Sequence, residues 1–218
     1  MKPRPARMRT RILWGWTLLL AAIGVAAVAH RMLRLWVPTL AAFQGPPGAA
    51  AQDGGFARHR LLTTLHIVLG MLFVILGPLQ FVGSLRARHP AVHRWIGRTV
   101  LASGIVIGST ALVMSPQMAI GGISETAATT LFAILFLAAL GKAFLAIRRG
   151  KVALHREWMI RAFAIGLAVA FVRPIVGIFF ATSRLTHLTP HDFFGAAFWL
   201  GFSVQTLAAE VWINYTRA

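Results

Sequence analysis

Val92-His93-Arg94-Trp95-Ile96-Gly97-Arg98 stands directly before a long apolar run, and Leu154-His155-Arg156-Glu157-Trp158-Met159-Ile160-Arg161 repeats its plan. Each segment sets a His-Arg pair, a tryptophan and a second arginine at the mouth of an apolar stretch. A hydrocarbon core of about 30 Å is crossed by roughly 20 helical residues. Cations and tryptophans collect where such a helix meets the lipid head groups. The two segments therefore mark two helices that enter a bilayer from the same side.

Further apolar runs surround this pair. Ile12 to Ala29 is the first, after a tail that carries Lys2, Arg4, Arg7, Arg9 and Arg11. Leu61 to Gly83 is the second. The third starts at His89-Pro90, because proline suits the first helical position, and is expected to stop near Met114 at Ser115-Pro116. A fourth follows Ser124, a candidate N-cap with Glu125 in the first turn, and ends near Ile147. The fifth spans Trp158 to Ala181, and the sixth follows Thr189-Pro190-His191-Asp192 and ends near Ile213. Loops are expected over 30–60, where Pro38, Gly45-Pro46-Pro47-Gly48 and Asp53-Gly54-Gly55 are turn signals, at 84–92, and at 182–189. The expected fold is an all-α polytopic bundle of about six transmembrane helices. It forms one integral membrane domain over 1–218: a basic tail at 1–11, a first span or signal anchor at 12–29, and a core bundle at 61–213. A basic segment, an apolar segment and Ala27-Val28-Ala29 also fit a cleavable signal, but the apolar part is long for one, which favours a retained helix.

Composition agrees. The chain is 57% hydrophobic and 12% charged, too apolar for a solvated surface. Cysteine is absent, which excludes disulfides, thiolate metal sites and catalytic thiols. The formal charge of +17 would suggest nucleic acid in a soluble protein, but here the cations flank apolar runs and no aromatic-basic nucleic-acid motif accompanies them. They are expected to set topology and to meet anionic lipids.

Small or polar stripes place candidate groups inside the bundle. They are His66, Gly70 and Gly77 on the second span; His93, Gly97, Gly104 and Gly108 on the third; His155, Ala162, Gly166, Arg173 and Gly177 on the fifth; and Trp199, Ser203, Thr206 and Glu210 on the sixth. Depth sorts them into two layers. His66 and Arg173 form an outer one, with His66 roughly 7 Å below its helix end at 1.5 Å per residue. His93, Arg98, His155, Glu157, Arg161 and Glu210 form an inner one, with Gln80 close by. An ionisable group within a membrane is costly and marks a functional candidate. Plain explanations compete: topology anchoring for Arg94, Arg98, Arg156 and Arg161, an interfacial belt for Trp95 and Trp158, and a structural hydrogen bond for His66. His187 and His191 read as loop and helix cap, because Pro190 breaks any regular helix through both.

His93-Arg94-x-x-Gly97-Arg98, Gly77-Pro78-Leu79-Gln80-Phe81 and His155-Arg156-x-Trp158-Met159-x-Arg161 together resemble a family of bacterial multi-pass membrane proteins known as a domain of unknown function. The resemblance covers about Leu61 to Glu210 and implies no activity. A looser similarity is to the cytochrome b561 and ferric-reductase type of membrane haem protein, whose core helices carry paired histidines. It implies one haem b near the cytoplasmic face, with His93 and His155 as metal ligands and Arg98 and Arg161 on the propionates. The fourth span has no histidine to pair with His66, so a second haem is not implied.

The functional expectation is an electron-transfer protein of the bacterial inner membrane that binds a b-type haem or a quinone and meets a membrane redox partner. The alternatives are a proton-coupled or small-molecule transporter using the polar intramembrane site His66, Arg173, Glu210 and Gln80, or a non-catalytic scaffold component. Lys/Arg bias puts both termini and the loops around Arg88 and Lys151 in the cytoplasm, against Arg31, Arg34, Arg58, Arg60 and Arg184 on the other side. Single cysteines can test this in a chain that has none of its own. An impermeant thiol reagent should label His187→Cys in intact cells and leave Lys151→Cys unlabelled; the reverse pattern would invert the topology.

Overall fold

A chain in hydrocarbon has no water to satisfy its peptide groups, so each crossing segment must close its own hydrogen bonds as a helix. The structure, a computed structural model that describes residues 4–37 and 49–217, follows that rule. Its helices are α1 (Arg4–Trp36), α2 (Ala49–Arg58), α3 (Arg60–Leu76), α4 (Gly83–Arg88), α5 (Pro90–Met118), α6 (Gly122–Arg148), α7 (Val152–Thr186) and α8 (Pro190–Arg217), with a 3-10 turn at Pro78–Phe81. There is no strand among the described residues. Among the described residues, six segments are long and apolar enough to cross a membrane: α1, α3 with its 3-10 turn, and α5 to α8. With an even number of crossings, the start of α1 and the end of α8 lie at one end of the bundle, together with the turns at 82–89 and 149–151. We call this the basic end, after Arg86, Arg88, Arg148, Arg149 and Lys151.

Several boundaries differ from the sequence expectation, each for a physical reason. Asp53-Gly54-Gly55 is helical, within α2, and not a turn; Pro38 and Gly45-Pro46-Pro47-Gly48 lie outside the described residues. The segment 83–88 is a short helix, not an open loop. α5 does not stop at Ser115-Pro116 but continues to Met118. There Ser115 Oγ donates to the Thr126 carbonyl at 3.2 Å, and Thr126 Oγ1 donates to the Ser115 carbonyl at 3.4 Å, so α6 supplies partners beside the proline. Ser124 is not the cap of α6, which begins at Gly122. The Glu125 carboxylate does the capping: its Oε2 accepts from the backbone N–H groups of Ile120 and Gly121, both at 2.7 Å. α7 is longer than expected at both ends, and the loop after it shrinks to 187–189, where His187 takes the left-handed conformation (φ 55°). The start of α8 matches its motif, with Asp192 Oδ2 accepting from the backbone N–H of Thr189 at 2.8 Å.

α7 lies at the centre and packs on α6, α8 and α1, while α3 joins α5 and α1. The middle of the bundle is one side chain, Phe73, with no exposed surface. Its ring lies between α5 and α7, at two of the glycines the stripes pointed to. A Cβ added at Gly166 would sit 2.6 Å from Phe73 Cε1, and one at Gly104 would sit 2.7 Å from Leu140 Cδ1 and 3.3 Å from Phe73 Cε2. Phe136 meets Phe73 edge-on at 5.5 Å and Phe163 lies at 5.8 Å. Close backbone approach at small residues is what drives helix association where lipid is as apolar as protein. α1 docks on this core through Leu20, Ile23 and a Trp16–Phe171 ring contact at 5.3 Å.

Not every stripe is internal. α7 buries Ala162 and holds Gly166 against Phe73, then turns Arg173 and Gly177 outward. α8 buries Phe194, Ala197, Gly201, Gln205 and Ala209, one to two residues out of phase with the expected Trp199, Ser203, Thr206 and Glu210. Thr206 Oγ1 donates to its own helix at the Phe202 carbonyl, 2.8 Å away, and so has no need of the core. Truncating the central ring, Phe73→Ala, should cost about 3–5 kcal/mol. Unfolding of the detergent-solubilised protein should show it as a marked loss of midpoint temperature, whereas Leu65→Ala on the exposed face of α3 should leave the midpoint nearly unchanged.

Candidate functional site

The polar groups gather at the basic end. α3 reaches it and stops: Gly77 lies flat against the Phe163 ring, Pro78 begins the tight turn, and Val82 is extended, which turns the chain away from the helix axis. That turn sends Gln80 across α5. Gly97 makes room for it, since a Cβ there would come 2.9 Å from Gln80 Oε1. One helical turn before Gly97 on the same face is His93.

Gln80 Nε2 and His93 Nδ1 are both shielded from solvent, and neither has a hydrogen-bond partner. Leaving a buried polar atom unpaired costs about 1–3 kcal/mol. Arg86, Arg94 and His155, the last in the first turn of α7, are near enough to act on His93 electrostatically. The two imidazoles do not bond each other. His155 Nδ1 pairs with the Ala143 carbonyl of α6 at 2.9 Å, which fixes its ring. Beneath this group the aromatic contacts Phe81–Phe163 (5.5 Å) and Phe73–Phe163 close off the interior.

The remaining inner-layer groups form a separate network between α7 and α8. Arg161 donates twice to Glu210, Nε to Oε1 at 2.5 Å and Nη2 to Oε2 at 2.8 Å. It also lies 3.8 Å from Glu157, one turn earlier. Glu157 in turn accepts from Arg217, whose Nε reaches Oε1 at 2.6 Å and whose Nη2 reaches Oε2. Both carboxylates thus hold arginines and leave the histidines alone. Trp158 is flanked by Lys142 at 4.4 Å and Arg161 at 4.5 Å over its ring. Arg98 stacks on Trp95 at 5.0 Å, on the exposed face of α5.

The outer-layer pair does not meet. His66 Nδ1 bonds Thr110 Oγ1 of α5 at 2.8 Å, and that hydroxyl donates to the Val106 carbonyl at 2.8 Å. Arg173 is exposed on α7, where Arg31 of α1 is the charge that acts on it. His187 and His191 end one helix and begin the next, and among the described residues no three His, Cys, Asp or Glu side chains could hold a metal ion together.

Residues 63–213 match the family described as predicted membrane proteins, DUF2306. The chain belongs to the DUF2306 family. No curated protein and no solved structure matches it. The DUF2306 region contains the motifs that carried the resemblance in the sequence: Gln80, His93, His155, Arg161 and Glu210 all fall within it, while α1 and Arg217 lie outside.

Sequence reasoning missed three participants. Arg217 gave no motif signal. Gln205, buried on α8 with its Nε2 unpartnered, was hidden by the phase error on that helix, although Gly201-x-x-x-Gln205-x-x-x-Ala209 is a small-polar-small spacing. The Ala143 carbonyl is backbone and has no residue signature. The charge network yields a test. Glu157 has 12% of its side chain exposed and Arg217 54%. Glu157→Gln takes from Arg217 the carboxylate that pairs with it, while Arg161 keeps Glu210, and should be the costlier of two substitutions. Arg217→Gln removes an exposed partner, leaves Glu157 beside Arg161, and should cost clearly less. Denaturation of the two variants in one detergent would measure the difference, and equal losses would refute the ranking.

Proposed function

We propose that this integral membrane protein is a redox component that binds the head group of a quinone at the basic end, between α3, α5 and α7. The observation that carries the reading is the pair of unsatisfied polar atoms on one face of α5, Gln80 Nε2 and His93 Nδ1. An amide nitrogen only donates, and an imidazole nitrogen donates in the tautomer or charge state that carries its proton there, so a ligand presenting acceptors complements the pair with His93 protonated at Nδ1. A quinone presents carbonyl oxygens, carries an apolar tail suited to a lipid-facing site, and takes up two electrons and two protons on reduction. Histidine suits proton delivery near neutral pH. Arg86 and Arg94 favour the partly reduced, anionic form. Electrons would come from a membrane partner that docks at this end.

A second reading, one haem b, is favoured by a different observation. His155 anchors Nδ1 on a carbonyl and leaves Nε2 available, the arrangement that commonly orients a metal-ligating histidine. Of the two cations expected at propionates, Arg161 is engaged by Glu210, and Arg98 stacks on Trp95. The transporter reading draws less support, because His66 and Glu210 are each closed by a protein partner.

Organic extraction of protein purified in mild detergent should yield quinone, and an added short-chain quinone should bind. Gln80→Ala and His93→Ala should each weaken binding about tenfold, near 1.4 kcal/mol per lost hydrogen bond. A Soret band that shifts on dithionite reduction and disappears in His155→Ala would establish the haem reading instead. If the parent protein binds neither quinone nor haem, the redox reading fails and carrier or scaffold roles take its place.

A further inference from the structure

A shallow groove of about 180 Å³ lies between α6 and α7 at the basic end, lined by Lys142, Leu145, Ala146, Arg149, Lys151, Leu154 and Trp158. We propose that it is a binding site for the phosphate head group of an anionic membrane phospholipid. It is built on other residues than the Gln80–His93 site and stands whether or not that site binds a quinone.

The sequence spacing makes the groove two-sided. Lys142, Ala146 and Arg149 fall on one face of the end of α6, and Lys151, Leu154 and Trp158 fall on the facing side of α7. Three cations thus converge on one concavity. Among the described residues no carboxylate is paired with any of them; the ion pairs there belong to Glu157 and Glu210. The Lys142 ammonium is held over the Trp158 ring and so stands at the groove wall instead of swinging free. Leu145 and Leu154 are 51% and 39% exposed, which gives the groove an apolar rim where the membrane would be.

Size and chemistry together select the occupant. Pockets that engulf a whole small molecule run to roughly 300–1,000 Å³. This groove is smaller and joins a cationic base to an apolar rim. A phosphodiester can sit among Lys142, Arg149 and Lys151 while glycerol and acyl chains continue over Leu145 and Leu154 into the bilayer. Basic recesses between membrane helices hold anionic head groups in this way. A free phosphate would use the same cations and gain nothing from the rim.

Native mass spectrometry of the detergent-purified protein, with phosphatidylglycerol and phosphatidylcholine at equal concentration, tests the proposal. The parent should retain phosphatidylglycerol with a preference of about tenfold, the attraction of three nearby cations being partly offset by detergent competition. The variant Lys142→Gln/Arg149→Gln/Lys151→Gln should lose that preference. Lys142→Arg/Arg149→Lys/Lys151→Arg, which keeps the charge, should retain it and guards against a folding artefact. Arg58→Gln/Arg88→Gln/Arg148→Gln, an equal loss of charge elsewhere, should also retain it. Equal binding of the two lipids by the parent, or equal loss in both neutralised triples, would overturn the site. Displacement of the lipid by millimolar inorganic phosphate would assign the groove to a free anion and overturn the lipid proposal.

Discussion

The lack of a hydrogen-bonding solvent across the hydrocarbon layer governs this molecule. It forces the backbone into helices and then applies the same demand to every polar side chain inside. The answers are local wherever they can be. Thr206 turns to a carbonyl of its own helix, Thr110 does the same while receiving His66, and Glu125 turns to the two peptide groups just before its helix. Where no local answer exists, charges pair across helices, as Arg161 does with Glu210. Against that background, Gln205 on α8 stands unpaired by itself, whereas Gln80 and His93 stand unpaired together at the basic end, and it is that pairing that asks for a ligand.

Packing meets the same condition by different means. Burying apolar surface against protein gains little when the alternative neighbour is lipid, so close fit has to supply the cohesion. Phe73 achieves it by filling the space between α5 and α7 that Gly104 and Gly166 leave open.

The helical spans were legible because a run of apolar residues admits one structure in a bilayer. Their ends were less so. Ser115-Pro116 looked like a stop, and only the α6 backbone beside it explains why the helix continues. Helix faces were legible where glycines marked them, as on α5, and misleading where hydroxyls did. In a membrane an apolar residue is at home on either side, so Ser203 and Thr206 carried little information about the inside of α8. The inner cluster could be read as a set of residues but not as a set of partners. His93 and His155 stood out in their motifs, and Gln80 in the Gly77-Pro78 turn. That Arg161 belongs to Glu210, 49 positions away, depends on how α8 returns beside α7.

The turn joining α5 to α6 has a mechanical implication. Glu125 clasps the amides of Ile120 and Gly121, Ser115 and Thr126 cross-link the two helices beside it, and Gly121 lies tight under the backbone of Gly195. That corner is a stiff pivot, and the histidine end of α5 is the free end of the lever. With about 38 Å of helix between Met118 and His93, at 1.5 Å per residue, a swing of only 3° or so at the pivot carries His93 through roughly 2 Å. A displacement too small to disturb any hydrogen bond at the pivot is large enough to change which atoms His93 can reach.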